Sequence, residues 1–191
     1  MPTPLGFSPI GSRVPKFRAF EEKILPPGIL LEYYLTDHDF QDVLDGHSKT
    51  RNSALSITMS REMYGHDFSE DNFLGAAYFR RVVEGKNFGK DEAAENEKKK
   101  VDAEANGVIP HLATDGKWLG VFLDQHDAIG VASISNDGSR NVLSLSVTVR
   151  VKNRYIKLGC GRVVNTDAEI QPFENICSKW ARDILKYNPS S

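Results

Sequence analysis

The chain has 191 residues, of which 40% are hydrophobic and 26% are charged, and its formal net charge is −2 at pH 7. This length predicts one compact domain whose core is large enough to fold without stabilising disulfides or metals. The balanced charge gives no reason to expect nucleic acid or an anionic membrane surface as a partner. No run approaches the ~18–20 apolar residues that a membrane helix requires, so we predict a soluble protein.

The first 25 residues have the composition of an extended arm. Residues 1–20 contain four prolines and two glycines, and no continuous apolar run of the kind that forms the core of a signal peptide. We therefore predict an extended arm over 1–25 and a single domain over 26–191. The expected location is the cytoplasm, or the periplasm if a leader was removed before Met1.

The sequence of the first part of the domain predicts a strand, a helix and a second strand. An apolar, aromatic-rich run from Ile29 to Leu35 predicts a buried strand. The stretch DHDFQDVLDG follows, with Phe40, Val43 and Leu44 at helical spacing and Gly46 as a terminator, which predicts a short amphipathic helix. SALSITMSR then alternates apolar and polar residues, as a strand with one buried face does.

The middle of the chain is strongly charged. Ser69 is a good N-cap for a helix that ends at Gly85, because two acidic residues occupy its first turn. The residues after it favour helix but offer almost no apolar face. We predict a solvated helical or mobile excursion over 86–107.

The last third predicts a β-meander closed by a helix. Four segments with strand patterns follow Trp118, and Lys152-Asn153 is a candidate for a tight hairpin turn because asparagine tolerates positive φ. Strands followed by helices that do not alternate with them predict an α+β fold with a mainly antiparallel sheet. The final helix should lie across that sheet through one apolar stripe, formed by Phe173, Ile176, Cys177, Trp180, Ile184 and Tyr187.

The stretch DHDFQDVLDGH holds four aspartates and two histidines in eleven positions. It is not a calcium loop of the EF-hand type, because Asp42 stands where that loop needs glycine. His38 and Asp42 are four residues apart and Asp39 and Asp42 three apart, so a two-ligand half-site is possible on one helix face. The buried stripe is already occupied by apolar residues, and we interpret these polar groups as the solvated face, with no metal.

Neither cysteine belongs to a recognisable motif. Cys160 and Cys177 lack the CxxC spacing of zinc or redox sites, and they can pair with each other only in an oxidising compartment. We interpret Cys160 as a small buried thiol rather than a nucleophile, since no histidine lies near it in sequence. No hydrolase, zinc-protease or dinucleotide motif is present, so we predict neither a catalytic site nor a cofactor.

The order of segments resembles a group of poorly characterised bacterial proteins, some of them cognate immunity proteins of toxins delivered between bacteria. The resemblance is carried by packing signatures along most of the chain: LPPGILLEYYLTDHDFQDVLDG, DFSEDNFLGAAYFRRVV, WLGVFLDQHDAIGVASIS, VRVKNRYIKLGC and WARDILKYNP. It implies a cognate toxin as the partner of this chain.

Two hypotheses follow from the sequence. The first is a non-enzymatic binding protein that neutralises a toxin through exposed acids and an apolar anchor, drawn from Asp39, Asp42, Asp45, Phe88, Asp91, Glu92 and Glu95. A homodimer is a further alternative. The second is a small hydrolase or metal-dependent enzyme with a scattered site, built from Asp37, His38, Asp39, Asp42 and a distant histidine.

Overall fold

The computed structural model describes residues 1–24, 28–47, 52–60, 117–136 and 140–188. These residues form one antiparallel sheet with strand order β1-β2-β3-β7-β6-β5-β4. The strands are β1 (Phe7–Pro9), β2 (Gly28–Thr36), β3 (Ser53–Ser60), β4 (Lys117–Gln125), β5 (Ala128–Asn136), β6 (Asn141–Val151) and β7 (Arg154–Val164). The helices are α1 (Pro15–Ile24), α2 (Asp37–Leu44) and α3 (Ile170–Tyr187). The predicted α+β fold class is confirmed.

The predicted meander forms one half of this sheet. Strands β4 to β7 pair in sequence order, and β7 then pairs with β3 to join the two halves. Lys152 and Asn153 connect β6 to β7 with φ values of 47° and 59°. Positive φ at both central positions is what a type I′ hairpin turn requires, so the predicted tight hairpin is confirmed.

Helix α3 covers one face of the sheet. Residues on alternate positions of β6 and β7, such as Leu145 and Leu158, are buried in the same apolar cluster as Phe173, Trp180 and Ile184 of α3. The predicted apolar stripe is confirmed except at Tyr187, which is 74% exposed. Tyr187 is the last residue of α3, and the fully buried part of the helix ends at Ile184.

Helices α1 and α2 cover the opposite face at the β1–β2 end. Leu35 of β2 packs there with Ile10, Phe17 of α1 and Phe40 of α2 in a second, smaller core. The neighbouring Tyr34 points to the α3 side, because successive side chains of a strand lie on opposite faces.

The structure differs from the extended arm predicted for residues 1–25. This segment contains β1, which pairs with the end of β2, and α1, which begins at Pro15. Proline suits the first turn of a helix, so the same residues that suggested an arm also allow a helix start. The helix predicted after Ser69 and the excursion predicted over 86–107 lie outside the described residues.

Candidate functional site

The α2 helix has a hydrogen-bonded cap at each end. The Thr36 hydroxyl accepts a hydrogen bond from Asp39 N at 3.1 Å, which caps the N-terminus. At the other end, Gly46 N donates to Val43 O and His47 N donates to Asp42 O, at 3.2 and 2.8 Å. With φ of 77° at Gly46, this is a Schellman motif, and it confirms Gly46 as the terminator.

One face of α2 is acidic and carries an apolar edge. Asp37 and Asp45 are exposed, Asp42 is partly exposed, and the last turn of the helix contains no basic residue. Leu44 is 53% exposed, so the sequence-based assignment of Leu44 to the buried stripe was wrong. Phe40 and Val43 already fill the contact with the sheet, and Leu44 is rotated ~100° past Val43. We call Asp37, Asp42, Leu44 and Asp45 the acidic face.

His38, Asp39 and Asp42 converge beside this face. One potential ligand atom of each lies within 4.8 Å of the others. His38 Nδ1 is 3.5 Å from Asp42 Oδ2 and 3.9 Å from Asp39 Oδ1, while the histidine ring itself is largely exposed. Within the described residues, the buried Asp39 Oδ2 has no hydrogen-bond partner. A mixed set of one imidazole and two carboxylates could hold a divalent cation such as zinc.

The other predicted binding residues cannot be placed. Phe88, Asp91, Glu92 and Glu95 lie outside the described residues. Of the predicted contact residues, the structure therefore brings together only Asp39, Asp42 and Asp45, on a single short helix. The side chains of Asp39 and Asp42 are only 15% and 19% exposed, whereas Asp45 is exposed.

The two cysteines form a disulfide. Cys160 of β7 and Cys177 of α3 have a Cα–Cα distance of 6.8 Å, and both are buried. The interpretation of Cys160 as a buried free thiol was therefore wrong, although its burial was right. The pairing follows from β7 presenting Cys160 to the face that α3 covers, and this depends on strand register rather than on sequence spacing.

A row of small and polar residues crosses the sheet on the face opposite α3. Lys157 of β7 lies between Thr58 of β3 and Thr148 of β6, and the next row contains Ser56, Gly159 and Ser146. Burial lowers the pKa of Lys157 to about 7 from an ordinary value of 10.5. Periodicity identified these strands, but it gave no sign that a partly buried amine would lie at the centre of the sheet.

The lowered pKa of Lys157 predicts that stability depends on pH. Between pH 7 and 10.5 the unfolded chain holds a proton on this amine that the folded chain has lost, so the free energy of unfolding should rise with pH. The slope is at most about 1.4 kcal/mol per pH unit, and the rise should stop near pH ~10, where unfolded tyrosines ionise. Denaturation curves at pH 7, 8 and 9 should show the rise in the wild type and lose most of it in Lys157→Met. An equal rise in both proteins would contradict this assignment.

Comparison with solved structures finds a distant likeness in fold. No family model matches the chain, and neither does any curated protein. The crystal structure of the Saccharomyces cerevisiae Ran-binding protein Mog1p superposes with a TM-score of 0.41 at 9% sequence identity, covering 96% of this chain and 85% of that one. A likeness at this level says nothing about function. None of the described helices has the length and apolar character needed to cross a membrane.

Proposed function

We propose that this protein is a non-enzymatic binding protein that associates stoichiometrically with another protein through the acidic face of α2. Most concretely, we propose an immunity protein that neutralises a bacterial toxin, the partner implied by the resemblance of the sequence. The observation that carries the proposal is the acidic face itself, with exposed Asp37 and Asp45, partly exposed Asp42 and no basic residue in the last turn of α2.

Two of these acids lie where the helix dipole disfavours a negative charge. Asp37 and Asp39 lie in the first turn, where a negative charge favours the helix dipole. Asp42 lies in the last turn and Asp45 at the C-cap, where a negative charge opposes the dipole. Pairs within the helix, His38 with Asp42 and Gln41 with Asp45, offset this cost. The support for a binding role is electrostatic, because a negative patch speeds encounter with a basic partner more than it raises affinity.

Affinity then has to come from apolar contact, and Leu44 is the candidate anchor. It is one of the few large hydrophobic side chains that are exposed among the described residues, and it lies next to Asp45. An apolar anchor surrounded by polar groups is typical of the energetic centre of a protein interface. The acids would steer the partner and Leu44 would enter a pocket on its surface.

The disulfide supports an oxidising compartment as the site of action. Disulfides persist in the periplasm and outside the cell, and they are rare where thioredoxin and glutathione keep thiols reduced. We therefore favour the periplasm over the cytoplasm for the folded protein, on the strength of the buried Cys160–Cys177 bond.

Co-expression with the product of the neighbouring gene tests the proposal. We expect the two proteins to co-purify as a complex with a fixed ratio of chains, and the toxic activity of the partner to fall in proportion to the complex formed. A partner that is toxic but forms no complex with this chain would overturn the proposal, as would turnover of a small substrate by the isolated protein.

The convergence of His38, Asp39 and Asp42 favours a second candidate, a metal-dependent enzyme. Our proposal predicts instead that these groups form a solvated surface without a resident metal. Replacing Asp37, His38 and Asp42 by Asn, Gln and Asn should leave the fold intact and leave zinc binding unchanged, as measured by isothermal titration calorimetry.

The matched control is Asp124→Asn, an exposed acid on β4 at the opposite edge of the sheet. Stoichiometric zinc uptake that is present in the wild type and in Asp124→Asn, but absent in the triple variant, would establish the metal-site alternative.

A further inference from the structure

Helix α3 carries both the disulfide and the hydrogen bond that holds the start of the N-terminal segment. Cys177 bonds to Cys160, and three residues later the Trp180 indole N–H donates to Pro2 O at 3.0 Å. Residues at spacing i, i+3 lie on the same helix face, so any movement of α3 at Cys177 also moves Trp180. The only covalent link between α3 and the sheet, apart from the chain itself, is therefore next to the contact that holds residue 2.

The N-terminal segment also connects to the start of α2. Gly6 O accepts a hydrogen bond from Asp37 N at 3.1 Å, and the Ser8 hydroxyl donates to Asp37 Oδ1 at 2.7 Å. A continuous series of contacts thus runs from the disulfide through Trp180 and residues 2–8 to the first residue of α2.

We propose that Cys160–Cys177 is a redox-sensitive latch: its reduction loosens α3, releases the N-terminal segment (residues 1–8) from Trp180, and leaves the rest of the sheet folded. This inference does not depend on the proposed function, because it concerns the conformation of the chain alone.

A dithiol is the class of reductant that the step requires. Its thiolate attacks one sulfur of the Cys160–Cys177 bond, forms a mixed disulfide and displaces the other cysteine as a thiolate. The second thiol of the reductant then displaces the remaining cysteine. Two electrons and two protons pass to the cysteines, which end as thiols, and the reductant leaves as a disulfide.

Packing explains why reduction should move the helix. Cys177 is 0% exposed and Cys160 is 3% exposed, and both belong to the main apolar core between α3 and the sheet. Two thiols that are no longer bonded need van der Waals separation, and in a close-packed interior we infer that α3 shifts away from β7 to supply it. The N-terminal segment is the first element expected to respond, since β1 contains only three residues and lies at the edge of the sheet.

Hydrogen exchange of the full chain, read by mass spectrometry, tests the latch. The protein is compared before and after treatment with dithiothreitol, and a free-thiol count confirms reduction. We expect at least tenfold faster exchange in residues 5–9 and in α3, with exchange in β5 and β6 changed less than twofold.

Two variants provide controls. Cys160→Ala combined with Cys177→Ala should show no response to dithiothreitol. Trp180→Phe keeps a ring in the core but lacks the donor to Pro2 O, so its residues 5–9 should exchange fast even when oxidised, while α3 stays protected.

Three results would overturn the proposal. The first is a disulfide that dithiothreitol cannot reduce in the folded protein. The second is a reduced protein whose exchange is unchanged. The third is exchange that accelerates equally in β5, β6 and α3, because the bond would then stabilise the whole fold instead of acting locally.

Discussion

Trp180→Ala is expected to lower the free energy of unfolding by about 3–5 kcal/mol, as large-to-small changes in a packed core do. Trp180 is 2% exposed and its ring meets Tyr34 edge-on, with 5.4 Å between ring centroids. Its indole N–H donates to Pro2 O, so truncation removes a hydrogen bond as well as apolar contact. Equilibrium denaturation in urea measures the loss.

The matched control for this change lies on the same helix. Tyr187 is also an aromatic residue of α3 but is 74% exposed, so Tyr187→Ala should change stability by less than about 0.5 kcal/mol. A Trp180→Ala protein with an unchanged denaturation midpoint would contradict the placement of α3 against the sheet.

Asp127→Asn is expected to lower the free energy of unfolding by about 3 kcal/mol, because it removes the carboxylate that pairs with the buried guanidinium of Arg150. The Arg150 guanidinium contacts Asp127 Oδ1 through Nη2 at 2.6 Å and through Nε at 2.8 Å. Arg150 is 5% exposed, so its charge depends on nearby protein groups for stabilisation. Chemical denaturation of the variant measures the loss.

A double replacement separates this charge effect from packing. Asp127→Asn with Arg150→Met removes the buried charge together with its partner, so the double variant should be more stable than Asp127→Asn alone. A double variant that is no more stable than Asp127→Asn alone would contradict this role of the pair.

The elements with local signals were predictable from the sequence. The alternation in β3 and β6, the end of α2 at Gly46 and the hairpin at Lys152-Asn153 all depend on neighbours in the chain. Each is fixed by side-chain period or by backbone geometry, which sequence patterns report directly.

Features that depend on tertiary contact were not predictable. β1 has three residues and exists because the end of β2 is available to pair with it. The Cys160–Cys177 bond depends on the register of β7 and the position of α3, which spacing does not contain. Proline and glycine content suggested an arm over residues 1–25, yet Pro15 begins α1.

The candidate site was predicted in part. The acids of α2 were identified because four aspartates stand out in a short stretch. The structure exposes Asp37 and Asp45 but leaves the side chain of Asp42 only 19% exposed. The exposure of Leu44 was missed because an apolar residue at helical spacing normally joins the buried stripe. The structure shows that Phe40 and Val43 make the contact with Leu35 of β2 and that Leu44 takes no part in it.

The central claim, that the acidic face of α2 binds a basic protein partner, is tested most directly by association kinetics at two salt concentrations. The partner is the product of the neighbouring gene, and the proteins compared are the wild type, Asp42→Asn with Asp45→Asn, and the control Asp124→Asn. The Debye length falls from ~10 Å at 0.1 M salt to ~3 Å at 1 M, so steering by the acids should be strong in the first condition and weak in the second. We expect the double variant to associate roughly three- to tenfold more slowly than the wild type at 0.1 M and at nearly the same rate at 1 M, with dissociation little changed and Asp124→Asn matching the wild type throughout. Equal association rates for wild type and double variant at 0.1 M, or an equal slowing by Asp124→Asn, would contradict the claim.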